Sequence, residues 1–291
     1  MLHPPVRMDD TTGLYGPASM AWRLNREALV LPGAGPRALL MQVAHPLVAA
    51  GVDQHSDFSS DPWDRLRATL RSYLRIVYGT RTAARSEIRR LNTMHREIRG
   101  PGYRARDPAL SLWVHATLVD STIAAYDAWI EPLPALDRER YYAETLPIGR
   151  AFGIPAELLP ADFGAFEAYM ARMLEPGSPV AVGPTGRDLA RHVIRPTLAP
   201  LWAPLGLVPR AAYGWTFWPA IGLLPERLRD EFGFAYGPVE RLVSRWLVAA
   251  WRGWRPLLPE GLRQMPQARA ADRRVHALLA ADGTRAVPTD G

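Results

Sequence analysis

Twice in this chain an Asp-Pro pair stands immediately before a long run of apolar residues at helical spacing, and that punctuation limits the fold more than any other feature. An aspartate carboxylate accepts the free N–H groups of a first helical turn, and proline suits the first helical position, where its missing N–H costs nothing. After Asp61-Pro62 the residues Leu66, Leu70, Tyr73, Leu74 and Val77 recur on one helical face, and Gly79 ends the run after Tyr78. A second helix is expected from about Arg81 to Arg99, closed by Gly100, with the stripe Ala84, Ile88, Leu91, His95 and Ile98. After Asp107-Pro108 a helix is expected to about Ile130, apolar on most sides between Leu110 and Val119, as suits a central helix.

The same punctuation organises the rest. Gly33-Ala34-Gly35-Pro36 is expected to open an apolar helix from about Arg37 to Val52, kinked at Pro46. Further helices are expected near 136–152, 161–174, 186–194, 224–231 and 237–254. The segment 195–222 reads as a packed irregular connection, and the tail beyond about Ala281 as frayed. The tryptophans Trp215, Trp218, Trp246, Trp251 and Trp254 read as core and lid packing rather than a substrate platform. No alternating strand pattern and no repeat stands out. The expected fold is all-α, one domain over 1–291, with a functional core over about 20–175, a C-terminal helical extension over about 186–280 and the tail 281–291.

Composition removes whole classes of chemistry. The chain has no cysteine, which excludes disulfides, thiolate metal sites, iron–sulfur clusters and covalently attached haem. All 35 basic residues are arginine, so lysine Schiff-base and general-base chemistry is closed. The net charge of +6 is dispersed among 29 acidic residues without a basic run, which argues against a nucleic-acid partner. There is no His-Glu-x-x-His, no Glu-x-x-His pair, no G-x-S-x-G elbow and no phosphate-cradling glycine loop. The N-terminus lacks a signal-peptide core, and the apolar run Leu39–Val52 is interrupted by Gln42, His45 and Pro46, so no transmembrane segment is expected. A cytoplasmic location is the expectation.

His95 is the most informative residue, because it occupies a stripe position between Leu91 and Ile98 where an apolar side chain belongs. It reads either as a satisfied core histidine or as a neutral imidazole suited to haem iron. On the preceding helix Arg65 and Thr69 stand one turn apart and share a face. A globin sandwiches its haem in this order: polar distal helix, histidine helix, then a long helix beneath.

Several blocks together carry a family resemblance. They are the stretch from Leu39 through Gln42, His45 and Pro46 to Gly51, then His55-Ser56-Asp57-Phe58, Asp61-Pro62-Trp63-Asp64-Arg65 with Thr69, Met94-His95-Arg96-Glu97 to Gly100, and Trp113-Val114-His115-Ala116-Thr117 to Ser121. The chain resembles the MpaB/rubber-oxygenase catalytic domain, which includes latex-clearing proteins, over roughly 12–255 and most clearly over 37–130. The resemblance implies a globin-like helical core holding a b-type haem, with O2-dependent oxidative cleavage or oxidation of an unsaturated apolar, isoprenoid or lipid-like molecule. It implies a distal Arg-x-x-x-Thr pair at Arg65 and Thr69 and a proximal ligand at His95. Ala68 stands where rubber-cleaving members carry lysine, and their glutamate base has no clear counterpart.

The implied roles are these. His95 ligates iron; Arg65 and Thr69 hydrogen-bond an oxygen-derived ligand, or Arg65 pairs with a haem propionate. His115 is the rival ligand, with a buried hydrogen bond or a pocket-wall contact as its other reading. His45 reads as stabilising the Pro46 kink or as touching a propionate or the pocket, and His55 as capping a loop or binding a propionate. The implied partners are O2, an apolar small molecule and an unspecified reductant. The alternative to an oxygenase is a non-catalytic helical protein that binds haem or a gas, and a third reading is a metal-free helical binder of a hydrophobic ligand.

Overall fold

A computed structural model describes residues 10–55, 62–194 and 218–285, without the side chains of 62–67, 193–194 and 281–285. In chain order the helices are α1 Met20–Arg26, α2 Val30–Val43, α3 Pro46–His55, α4 Pro62–Tyr78, α5 Arg81–Glu97, α6 Pro108–Trp129, α7 Ala135–Ala151, α8 Phe163–Leu174, α9 Pro184–Ile194, α10 Glu226–Phe232, α11 Pro238–Trp254, α12 Glu260–Arg263 and α13 Pro266–Arg285. The fold is all-α. The Asp107-Pro108 signal operates as expected: the Asp107 carboxylate accepts from the N–H groups of Ala109 at 2.9 Å and Leu110 at 3.4 Å. Asp61 lies outside the described residues, but α4 begins at Pro62.

Several expectations about elements are corrected. The helix expected over Arg37–Val52 starts earlier, at Val30, and divides into α2 and α3. Pro46 does not kink a continuous helix but opens a new one, and the Nδ1 of His45 accepts from the Leu47 N–H at 3.2 Å as its cap. After α5 the chain makes a two-residue antiparallel ladder, β1 Arg99–Gly100 against β2 Tyr103–Arg104. Pro101-Gly102 turns it, with Gly102 at φ +77°, a backbone conformation that a side chain disfavours. Residues 218–222 are helical, whereas 195–217 lie outside the described residues; α13 is described to Arg285, and the rest of the expected tail lies outside the described residues.

The core is organised by α2 against α6, the most extensive helix pair among the described residues. Gly33 meets the Trp129 ring, Arg37 meets Asp120, and the Trp113 Nε1–H donates to the Met41 carbonyl at 3.1 Å. As one helix advances the other recedes, so the pair is antiparallel. A Cβ at Gly33 would stand 2.7 Å from a Trp129 ring carbon, so glycine sets the distance of approach. Arg37 is only 5% exposed. Its Nη1 donates to Asp120 Oδ2 at 2.6 Å and to Ser121 Oγ at 2.8 Å, and its Nε donates to the Leu223 carbonyl at 2.7 Å. One buried charge therefore joins α2, α6 and the start of the C-terminal helices.

A second core lies between the two ends of the chain. Trp22, Leu74, Val77 and Tyr78 pack with Ala268, Ala271 and Val275 of α13. Arg274 of that helix donates to the carbonyls of Thr11 at 2.8 Å and Tyr78 at 2.7 Å, and Arg26 pairs with Asp272 at 2.9 Å. The tryptophan expectation is only partly met: Trp246 and Trp254 are exposed, and Trp215 is outside the described residues. Among the described residues no helix is long and apolar enough to cross a membrane.

Removing one partner from a buried ion pair leaves an uncompensated charge and costs about 3–5 kcal/mol. Arg37→Met is therefore expected to destabilise the protein by about 3 kcal/mol, seen as a lower midpoint of urea unfolding. An unchanged midpoint would show that the pair does not fasten α2 to α6.

Candidate functional site

The hairpin of α4 and α5 sets the level of the motif residues. Thr80 caps α5, its hydroxyl accepting from the Ala83 N–H at 3.1 Å. Farther along, the Ser72 hydroxyl of α4 donates to Glu87 Oε1 of α5 at 2.8 Å. The Arg90 side chain closes on the same carboxylate at 2.6 Å, and these bonds hold Glu87 below the usual carboxylate range. Arg65 lies seven residues before Ser72 and His95 eight after Glu87. At 1.5 Å per residue these are excursions of about 10 and 12 Å. Arg65 and His95 thus both lie on the side of the Ser72–Glu87 contact away from the turn that joins α4 to α5. Thr69 is exposed and His95 is half-buried; the Arg65 side chain is outside the described residues.

The last turn of α5 docks on the end of α7. Asn92, one turn before His95, donates from Nδ2 to the Ala151 carbonyl at 2.8 Å. His115 of α6 reaches the same end of α7. A Cβ at Gly149 would meet His115 Nε2 at 3.4 Å and a Leu159 methyl at 3.1 Å, so the glycine lets α7 close over the ring. Residue His115 as a whole is half-buried, but its Nε2 is inaccessible and has no hydrogen-bond partner. Burial lowers its pKa to about 4, so the imidazole is neutral at physiological pH. Around it stand the apolar side chains of Leu112, Ile154 and Leu159. Gly149 was not singled out in the sequence; a glycine inside a helix, two residues after Pro147, is the signal of close approach that could have found it.

The other two histidines lie at opposite ends of α3. His45 is buried and caps that helix, and burial holds its imidazole below the ordinary value against the pull of Asp107. His55 Nε2 is 3.1 Å from the Arg99 carbonyl, and its ring stands edge-on to Tyr103 with centroids 6.4 Å apart. It thus fixes the end of α3 to the β1–β2 turn. The structure brings His95 and His115 to one corner of α5, α6 and α7 and leaves His45 and His55 at separate places.

The donor set of this corner fits a haem in kind. Among the described residues no three His, Cys, Asp or Glu side chains cluster to hold a bare metal ion. A porphyrin brings four nitrogens of its own and asks the chain for one imidazole. The corner offers the half-buried His95 beside the neutral imidazole of His115, with Thr69 exposed on the joined helix α4.

The neutral state of His115 has a thermodynamic consequence. Its folded pKa, about 4, lies below the ordinary 6.5, so the unfolded chain takes up the proton first. The stability that this contributes is complete above pH 6.5 and is lost as pH falls toward 4. Between pH 7 and pH 5 the loss is about 2 kcal/mol at most. His115→Leu is expected to flatten the pH dependence of urea unfolding by that amount. Identical dependence in the two proteins would show that the ring is not buried neutral.

Comparison with known proteins adds the following. A family described as "ER-bound oxygenase mpaB/B'/Rubber oxygenase, catalytic domain" matches residues 22–253. Two curated proteins, one from Mycobacterium bovis and one from Mycobacterium tuberculosis, are each 29% identical over 157 residues, covering 50% of this chain and 60% of the relative. Both are described as uncharacterized, and the chain spans only about 60% of their length. No solved structure matches the chain significantly.

Proposed function

The chain belongs to the mpaB/rubber-oxygenase catalytic-domain family, and on that premise we propose that it is a haem b-dependent oxygenase acting on an unsaturated apolar small molecule. The single observation that supports this most is the match of the oxygenase catalytic-domain family to residues 22–253, with Arg65, Thr69 and His95 on the joined helices α4 and α5. Haem supplies the iron that binds and activates O2.

The chain's own residues have distinct tasks in this reading. His95, near the C-terminal end of α5, would supply the imidazole that holds the haem iron. Arg65 and Thr69 on α4 present hydrogen-bond donors toward developing negative charge on oxygen, where such donors lower a barrier most. Arg65 alternatively holds a propionate, since a guanidinium and a carboxylate pair in a planar fork. His115 is read as wall rather than ligand, because α7 is packed over its Nε2 by way of Gly149. The apolar side chains of Leu112, Ile154 and Leu159 keep water from this wall. Ala68, exposed on α4, cannot do what a lysine does there, which points to a substrate other than polyisoprene.

The test is the ultraviolet–visible spectrum of protein produced with added haem precursor. Wild type is expected to show a Soret band. His95→Ala should lose or shift it, and His115→Ala should keep it. Loss in His115→Ala alone would move the ligand, and no band even after titration with haemin would end the haem reading. Oxygen consumption with terpenoid or lipid substrates then separates an oxygenase from a protein that merely binds haem or a gas.

A further inference from the structure

Among the 17 residues of α11 a serine, Ser244, is the one that is buried. A surface helix ordinarily turns its apolar side to the core, and α11 has such a side. At 100° per residue, Leu242, Trp246, Val239, Ala250, Val243 and Trp254 fall within about 120° of arc. Ser244 and Val248 lie on the opposite side, which packs against the C-terminal end of α6. Two contacts fix that orientation. Arg252 donates to the Asp127 carbonyl of α6 at 2.6 Å. Arg255, just past the helix, holds both oxygens of Glu27 at 2.6 and 3.1 Å.

The apolar stripe therefore faces outward. Val239, Leu242, Trp246 and Trp254 are each 64–69% exposed. Leu257 and Leu262, on the turn and short helix that follow, are as open. Single exposed apolar side chains are ordinary, whereas a contiguous set marks a surface that something covers. So high an exposure on each member makes a ridge rather than a groove, with no pocket to anchor the side chain of a protein partner.

Charge decides what kind of surface that is. Arg245, Arg252 and Arg241 are all exposed and follow one another within about 40° along one edge of the stripe. Among the described residues neither Arg241 nor Arg245 forms an ion pair. Glu240, the one acid of α11, is spent on the helix's own start, where it accepts from the Gly237 N–H at 2.8 Å. Two copies paired antiparallel by their stripes would set arginine edge against arginine edge; paired parallel, they would offer each edge only that occupied carboxylate. An anionic lipid surface answers both features at once. Its hydrocarbon boundary receives the stripe, and its phosphates receive guanidinium groups. Tryptophan suits that depth, because its ring is apolar and its N–H polar.

We infer that α11 is an interfacial docking helix: Leu242, Trp246 and Trp254 enter the headgroup region of an anionic bilayer, and Arg241 and Arg245 bind lipid phosphates. The helix lies in the plane of the surface and does not span it. The inference does not need the oxygenase reading, although a bilayer is where the apolar substrates of that reading accumulate.

Co-sedimentation of the full-length chain with vesicles tests this, using phosphatidylcholine and phosphatidylglycerol in equal parts against phosphatidylcholine alone. Wild type is expected to bind the mixed vesicles, with a blue shift of tryptophan emission. Leu242→Ser combined with Trp246→Ser should weaken binding at least about 10-fold while keeping the urea midpoint and helical circular dichroism of wild type. Arg241→Gln combined with Arg245→Gln should weaken it about 30-fold, about 5-fold for each arginine, and added salt should act in the same direction. No sedimentation with the mixed vesicles overturns the inference. So does binding that the serine pair leaves intact, or that neither the arginine pair nor salt weakens. A lowered urea midpoint in the serine variant would mean that another part of this chain covers the stripe. A wild-type dimer in sedimentation velocity that the serine variant turns into monomer would assign the stripe to a second copy. Either result also overturns it. No arm of the test reads haem, so its failure and failure of the haem reading are separate.

Discussion

Arg37 is buried with its charge, and much of the molecule is arranged to answer it. A guanidinium taken out of water costs several kcal/mol unless its donors are met. Here Asp120 and Ser121 meet two donations from α6, and the Leu223 carbonyl meets a third from the chain leading into α10. The pairing does more than neutralise. It sets how far α2 is slid along α6, and so decides that Gly33 falls opposite Trp129 and Met41 opposite Trp113. A shift of one helical turn would lose all of these matches together. The corner around His115 inherits its geometry from this one alignment.

Much of the helical layout was legible because its signals are local. Asp107 caps α6 with its own side chain, and the stripes of α4 and α5 bury Leu74, Val77, Ala84 and Ile88 as their spacing requires. What was not legible depends on partners distant in sequence. The break between α2 and α3 turns on His45 choosing the Leu47 N–H, and a proline alone does not say whether it bends a helix or starts one. The β1–β2 turn is too short to show an alternating pattern. Helix α13 reads as polar and arginine-rich in isolation and is held by the early residues Trp22 and Tyr78.

The site was legible in its parts and not in its grouping. His95 and His115 look alike in sequence, each in an apolar helical setting. Packing separates them: α7 lies over His115 because residue 149 is glycine, whereas His95 stands at the open end of a hairpin. His45 and His55 reveal themselves as fasteners of α3 through contacts to Leu47 and Arg99.

The core shared by α1, α4 and α13 has a consequence for how the protein is made. Trp22, Leu74, Val77 and Tyr78 are synthesised first, and Ala268, Ala271 and Val275 that cover them follow about 190 residues or more later. At bacterial or eukaryotic elongation rates the wait is roughly 10–40 s. For that interval the nascent chain presents an uncovered aromatic and aliphatic face, the kind of surface that chaperones engage. Arrival of α13 is therefore a maturation step: it covers a chaperone-binding face and locks α1 in one event.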